Sequence, residues 1–170
     1  MTRIRPESPG DEASIGKVLE LAFPSVAEAR LVEALRAAGD LSISLVAEEA
    51  AGPIVGHVAF SPVTIAAPSE GVIGLGLAPV AVVPAEQRKG LGEKLIREGL
   101  RLGAARGARF VVVLGSPRFY ARFGFEPARG WGIQNEYDAG DEFMALELTP
   151  PGIPRDAGLA RYADAFSIVA

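Results

Sequence analysis

The 170-residue sequence contains no cysteine. That excludes disulfides, a thiolate nucleophile and cysteine-ligated zinc. It contains one histidine, His57, so a histidine-rich metal site is excluded and a histidine-containing triad could use only that residue. No bound metal is expected. Uninterrupted apolar runs of ~18 residues are lacking, which argues against a transmembrane helix. The opening Met1–Glu7 segment has no apolar centre and does not read as a signal peptide. The expectation is a soluble cytoplasmic protein without a membrane partner. Positive charge is in deficit: 17 Lys and Arg against 21 Asp and Glu leave a net charge of −4. Sequence-independent nucleic-acid binding needs a basic surface, so the balance speaks against a nucleic-acid partner. With 49% hydrophobic and 22% charged residues the chain has a globular composition, which excludes disorder.

What is present is an alternation of short elements separated by turns, in keeping with 20 glycines and 13 prolines. Thr2–Arg5 reads as a strand, followed by a turn in which Asp11 or Ser8 is available as a helix cap. Ile15, Val18, Leu19 and Ala22 recur at helical spacing and predict a helix from Glu12 to Phe23, ended by Pro24. A second amphipathic helix spans Ala27–Ala38 and stops at Gly39. Ser42–Glu49 and Ile54–Ala66 form a hairpin pattern. Val72–Val83 is apolar on both faces and reads as a central strand. Gly90–Arg106 is the longest helix, with Gly92, Gly99 and Gly103 as close-packing positions. Phe110–Leu114 is a buried strand. Ser116-Pro117 fits a cap followed by proline at the first helical position, and the short helix runs through Arg122. Strands follow near Gly124 and over Phe143–Leu148. The expectation is one α/β (α+β) domain over residues 1–148, with a mixed sheet and helices on both faces. Residues 149–170 form a tail docked through Tyr162, Phe166, Ile168 and Val169.

The chemistry concentrates in Ala81-Val82-Val83-Pro84-Ala85-Glu86-Gln87-Arg88-Lys89-Gly90-Leu91-Gly92. A strand ends, a loop with two cations and two glycines follows, and a helix begins. Free N–H groups at a helix start, aided by the helix dipole, favour a phosphate. Arg88 and Lys89 can add charge-assisted hydrogen bonds. Two nucleotide motifs fail. Gly10–Lys17 has the wrong spacing for Walker A and is followed by Val18. Gly74-Leu75-Gly76 lacks the third glycine of a dinucleotide fingerprint.

The remaining pattern, Gln87-x-x-Gly90-x-Gly92 after a strand ending Val82-Val83-Pro84, resembles the acetyl-CoA loop of the GNAT superfamily of N-acetyltransferases. Phe119-Tyr120-Ala121-Arg122-Phe123-Gly124-Phe125 is similar to the family's Y-x-x-x-G-F. Gly56–Val63, Leu75–Val82, Val113–Pro117 and Tyr162–Phe166 resemble its YhbS-like branch, so the likeness runs along nearly the whole chain. It implies a mixed sheet splayed between two central strands, with acetyl-CoA as co-substrate in the cleft. Ala81, Val82 and Val83 would pair with the pantetheine arm as an added strand does. Gln87, Arg88, Lys89, Gly90, Leu91 and Gly92 would hold the pyrophosphate. Tyr120 would protonate the departing CoA thiolate. Arg88 stands where the family often has glycine, and Ser116 where the branch often has Asp.

The implied reaction is direct attack of a primary amine on the thioester, with the Val82 region polarising its oxygen. The sequence names no clear base; Glu126, Glu136, Asp141 and Glu142 are candidates by location. His57 reads as a packed strand residue. Trp131 lies in a stretch that reads as flexible and could line an acceptor pocket formed by Phe23–Ala29 and Gly130–Asp141. The acceptor amine is not identified, and a homodimer stays open. A non-catalytic acyl-CoA-binding or sensing module is the alternative, and a protein-interaction domain without cofactor a weaker one.

Overall fold

The computed structural model describes residues 1–67 and 72–169. It divides into two compact units: Met1–Ser61 with Ala78–Gly99 and Asp164–Ala170, and Pro62–Leu77 with Leu100–Ala163.

The first unit opens with β1 (Thr2–Pro6), α1 (Glu12–Ala22), α2 (Ala27–Ala38) and β2 (Ile43–Glu49). It continues with the first part of β3 (Ile54–Ile65), the end of β4 (Ile73–Val82) and the start of α3 (Leu91–Ala105). β1 and β2 are antiparallel, as are β2 and β3, and His57 lies opposite Val46. The helices form where apolar residues recur each turn: Ile15, Val18 and Leu19 in α1, and Leu31, Val32 and Leu35 in α2, all buried. α1 and α2 build a core with Val46 and Ala81. Gly39, at φ +77°, closes α2 as expected. Asp11 does not cap α1 through its side chain. Its carboxylate accepts from Arg5 at 2.8 Å and from the Ser8 N–H at 2.7 Å, because a guanidinium offers the stronger, charge-assisted bond. A Cβ on Gly99 would run into the Phe60 ring, so α3 needs glycine to lie close to β3.

The second unit contains β5 (Ala108–Leu114), α4 (Pro117–Tyr120), β6 (Glu126–Pro127), β7 (Ile133–Gln134), β8 (Phe143–Glu147) and β9 (Gly158–Tyr162). β4 pairs with β5 in parallel, β5 with β8 and β8 with β6 antiparallel. Phe110, Val112, Phe143 and Ala145 from the sheet meet Ile133, Ile153 and Ala160 in its core. The fold is thus a mixed α/β one. The strand expected near Gly124 shrinks to Glu126–Pro127, since Gly124 closes a 3-10 turn at φ +95°. The stretch around Trp131 is not irregular: Ala128–Trp131 is a 3-10 turn ended by Gly132 at φ +72°.

Within residues 149–169, β9 pairs antiparallel with Val63–Ile65 of β3 and parallel with β7, and Phe166 is buried. Ile168 and Val169, expected to dock, are 42% and 37% exposed. Ile168 is the last residue of the 3-10 turn Asp164–Ile168, whose buried residue is Phe166, and Val169 follows it. Ala170 lies outside the described residues.

Candidate active site

The parallel register between β4 and β5 stops at Gly76, whereas β4 continues to Val82. The last part of the strand therefore keeps an edge without that ladder. The Val83 N–H donates to the Val55 carbonyl at 2.9 Å. Successive N–H groups of a strand point to opposite sides, so the Val82 N–H turns away from β3. Ala81 is buried in the α1–α2 core. Of the three strand positions singled out in the sequence, Val83 has already spent its donor on the sheet. Gln87 Nε2 donates to the Val82 carbonyl at 2.9 Å and ties the loop back to the strand. That side chain shapes the turn.

Arg88 (φ +65°) and Gly90 (φ +82°) are both left-handed. They swing the chain into α3, whose Lys94 N–H reaches back to the Gly90 carbonyl at 3.1 Å. The N–H groups of Leu91, Gly92 and Glu93 precede that first intrahelical bond. A Cβ on Gly90 would meet nothing within 4 Å, and one on Gly92 only Val82 Cγ2 at 4.0 Å. Gly92 is thus not the packing position that Gly99 is; its missing side chain leaves open space above the strand end. Arg88 is exposed and has no ion-pair partner among the described residues. Lys89 is also exposed, but its Nζ lies 2.6 Å from Glu86 Oε2. Glu86 holds the ammonium above its usual pKa, and Lys89 in turn lowers the carboxyl. Leu91 is buried and anchors the helix start.

Tyr120 belongs to the second unit. Ser116 caps α4, its Oγ accepting from the Phe119 N–H at 3.3 Å, with Pro117 at the first position. This turn sets Tyr120 among Phe119, Phe125 and Phe123, at ring-centroid distances of 5.0, 5.7 and 6.1 Å. The residue is 8% exposed, and burial pushes its phenol above the ordinary tyrosine pKa. It is therefore protonated at neutral pH and a weaker acid than a free phenol. Gly115 was not recognisable as a site residue, yet a Cβ there would strike the Tyr120 ring. The only signal was a glycine directly before a Ser-Pro helix start.

The carboxylates proposed by location fare unevenly as bases. Arg129 Nε lies 2.6 Å from Asp141 Oδ1 and lowers that carboxyl, and the Gly140 N–H lowers Glu142. A lowered pKa weakens a base. Glu136 lies 3.7 Å from Arg161 and accepts from the Tyr162 N–H at 3.3 Å. Glu126 is exposed and lines, with Trp131 and Arg129, an open cavity of about 460 Å³. His57 is fully buried. Ser44 Oγ donates to Glu7 Oε1 at 2.6 Å and lies 2.8 Å from His57 Nε2, which therefore carries the ring hydrogen and donates. His57 Nδ1 is left with a buried lone pair and no partner among the described residues.

Comparison with known proteins fits this arrangement. Residues 3–128 match the acetyltransferase (GNAT) domain family. The chain is 36% identical over 165 residues to the uncharacterized N-acetyltransferase YhbS of Escherichia coli K12, covering 96% of this chain and 98% of that one. The crystal structure of E. coli YhbS in complex with CoA superposes with a TM-score of 0.90, covering 98% of this chain and 92% of that one. A GNAT family acetyltransferase from Brucella melitensis in complex with acetyl-CoA is 42% identical, with a TM-score of 0.79 and 98% coverage of both chains. The open strand end, the left-handed loop and the full-length likeness converge: this chain belongs to the GNAT family of N-acetyltransferases.

Proposed function

We propose that the protein transfers an acetyl group from acetyl-CoA to a primary amine by direct attack on the thioester. The observation that carries this reading is the end of β4 beyond its ladder with β5, running into a left-handed turn, with the space above Gly92 left open. Amide-like groups of a pantetheine arm can extend such an edge as an added strand. Related proteins of full-length similarity hold CoA or acetyl-CoA.

In this reading the backbone from Gln87 to Gly92 receives the pyrophosphate at the start of α3, and Arg88 adds its uncommitted charge. Lys89 contributes less, because Glu86 already neutralises it. The Val82 N–H polarises the thioester oxygen as charge develops there. Holding amine and thioester together supplies a large part of the rate. The Tyr120 hydroxyl gives its proton to the departing thiolate. Its raised pKa keeps the proton in place until the thiolate forms.

The test joins two measurements on the full chain. Acetyl-CoA should raise the melting temperature, and free thiol should appear when primary amines are added. Absence of both rejects the reading. Binding without turnover on any amine favours an acyl-CoA sensor.

A further inference from the structure

The ladder between β4 and β5 ends at the pair Gly76–Val112. Gly74 and Gly76 lie two residues apart and share one face of β4. Each has a ring above it. A Cβ on Gly74 would run into Phe110, and one on Gly76 would lie 2.6 Å from Tyr162 Cε2. The two rings differ in their surroundings. Phe110 is 1% exposed, whereas Tyr162 is only half-buried. The first belongs wholly to the core; the second keeps an open side at the last laddered pair. Tyr162 is held there by the pairing of its backbone with Val63 of β3 and by the edge-on Tyr137 ring at a centroid distance of 5.7 Å. Burial, and then the phenols of Tyr137 and Tyr120, push its hydroxyl above the ordinary tyrosine pKa. Its phenol is thus within electrostatic reach of Tyr120, which in the proposed function protonates the sulfur.

We infer that the Tyr162 ring is the stop that limits the acyl chain of the co-substrate, so that the protein selects acetyl-CoA over longer acyl-CoA thioesters. The inference rests on the acetyl-transfer reading above and names the determinant of its acyl group. In that reading the pyrophosphate lies at Gln87–Gly92, and the pantetheine arm runs back along β4 from Val83 towards Ala81. The thioester end of the arm therefore points along the strand towards Gly76. There the pairing with β5 closes the way between the strands, and the Tyr162 ring covers the face that the glycine leaves bare. An acetyl group adds only a methyl beyond the carbonyl. Further methylenes are driven against a ring that its strand pairing and Tyr137 hold in place, and overpacking of that kind is unfavourable. The ring does this and not the hydroxyl, so phenylalanine at this position serves equally as a stop.

The test is calorimetric titration of the full chain with CoA, acetyl-CoA, butyryl-CoA and hexanoyl-CoA, which needs no acceptor amine. Wild type is compared with Tyr162→Phe, Tyr162→Leu and Tyr162→Val, and thermal unfolding shows which variants are folded. Wild type should bind hexanoyl-CoA at least about tenfold more weakly than acetyl-CoA, with butyryl-CoA between them. Tyr162→Phe should keep that ratio. In Tyr162→Leu and Tyr162→Val, which lack the ring, the ratio should shrink to about threefold or less. Equal affinity of wild type for acetyl-CoA and hexanoyl-CoA overturns the inference without any variant. So does a ratio that persists in a folded Tyr162→Leu or Tyr162→Val. A ratio lost in Tyr162→Phe overturns the assignment to the ring and marks the hydroxyl instead. A wild type that binds neither CoA nor any of its thioesters overturns the underlying acetyl-transfer reading.

Discussion

Gly115 makes room for the Tyr120 ring: a Cβ at that position would overlap the ring edge. The two residues flank the Ser116 cap, so one short turn both places the phenol and leaves the space it needs. The ring is otherwise enclosed by Phe119, Phe123 and Phe125, which leaves it few other directions.

Gly115→Ala should therefore displace Tyr120 and destabilise the fold by ~1–3 kcal/mol, the usual cost of overpacking. Tyr120→Phe keeps the ring and removes only the hydroxyl. It should melt near wild type, bind acetyl-CoA with near-unchanged affinity, and lose about tenfold to a thousandfold in kcat. If kcat is unchanged on a good acceptor, Tyr120 is packing and not an acid. A loss confined to KM for the amine makes it an acceptor contact.

The loop separates conformation from charge. A left-handed non-glycine residue costs roughly 1–2 kcal/mol, and Arg88 carries that cost in the native state. Arg88→Gly should raise the melting temperature while weakening acetyl-CoA binding by about tenfold, the share of one charge-assisted contact. Calorimetric titration and thermal unfolding of the same preparation read both. Equal affinity would show that the guanidinium never meets the phosphates.

Gly92→Asp tests the open space directly. The position has an ordinary helical backbone, and a new Cβ would meet only Val82 Cγ2 at 4.0 Å, so the fold should survive. The carboxylate would fill the approach to the backbone and repel a pyrophosphate. Acetyl-CoA should then no longer shift the melting temperature. A normal shift would remove this loop from the cofactor site. Gly90→Asp is the less clean variant, because a side chain at φ +82° is strained in itself.

Burial lowers the His57 pKa from 6.5 to about 4, with Arg36 acting in the same direction and Glu7 against it. Between those values the unfolded chain binds a proton that the native chain does not. Stability should therefore be fully present above pH 6.5 and fall as the pH drops towards 4, by roughly 3 kcal/mol. Denaturant midpoints from pH 7 to 4.5 follow this. A flat profile would mean that the imidazole is not enclosed as described.

Ending the chain after Pro150 removes β9, which pairs with β3 and β7, and the buried Phe166. Each large apolar side chain uncovered or lost is worth about 1.5–3 kcal/mol. The shortened protein should melt lower and be less soluble. Ending it after Ser167 removes only Ile168, Val169 and Ala170, and should cost little, because Ile168 and Val169 are exposed.

The parts legible in the sequence are those in which one residue pattern suffices. α1 and α2 follow from apolar spacing, and Gly39 marks a stop that only its backbone freedom explains. The loop was legible because Gln87, Gly90 and Gly92 stand at fixed separations. β9 was not: Gly158-Leu159-Ala160-Arg161-Tyr162 has little strand propensity, and pairing with Val63–Ile65 makes it a strand. The fit of Gly115 to Tyr120 and the Gln87 tie to Val82 depend on distances in space that no spacing encodes.

The single imidazole has a practical consequence. His57 is fully enclosed and is the chain's one histidine, so a reagent that acylates imidazoles can reach its target only in molecules that have opened. The rate of that modification counts opening events in the strand region around β2 and β3. A proton spectrum likewise carries the signals of a single imidazole, an internal clock for unfolding that needs no added label.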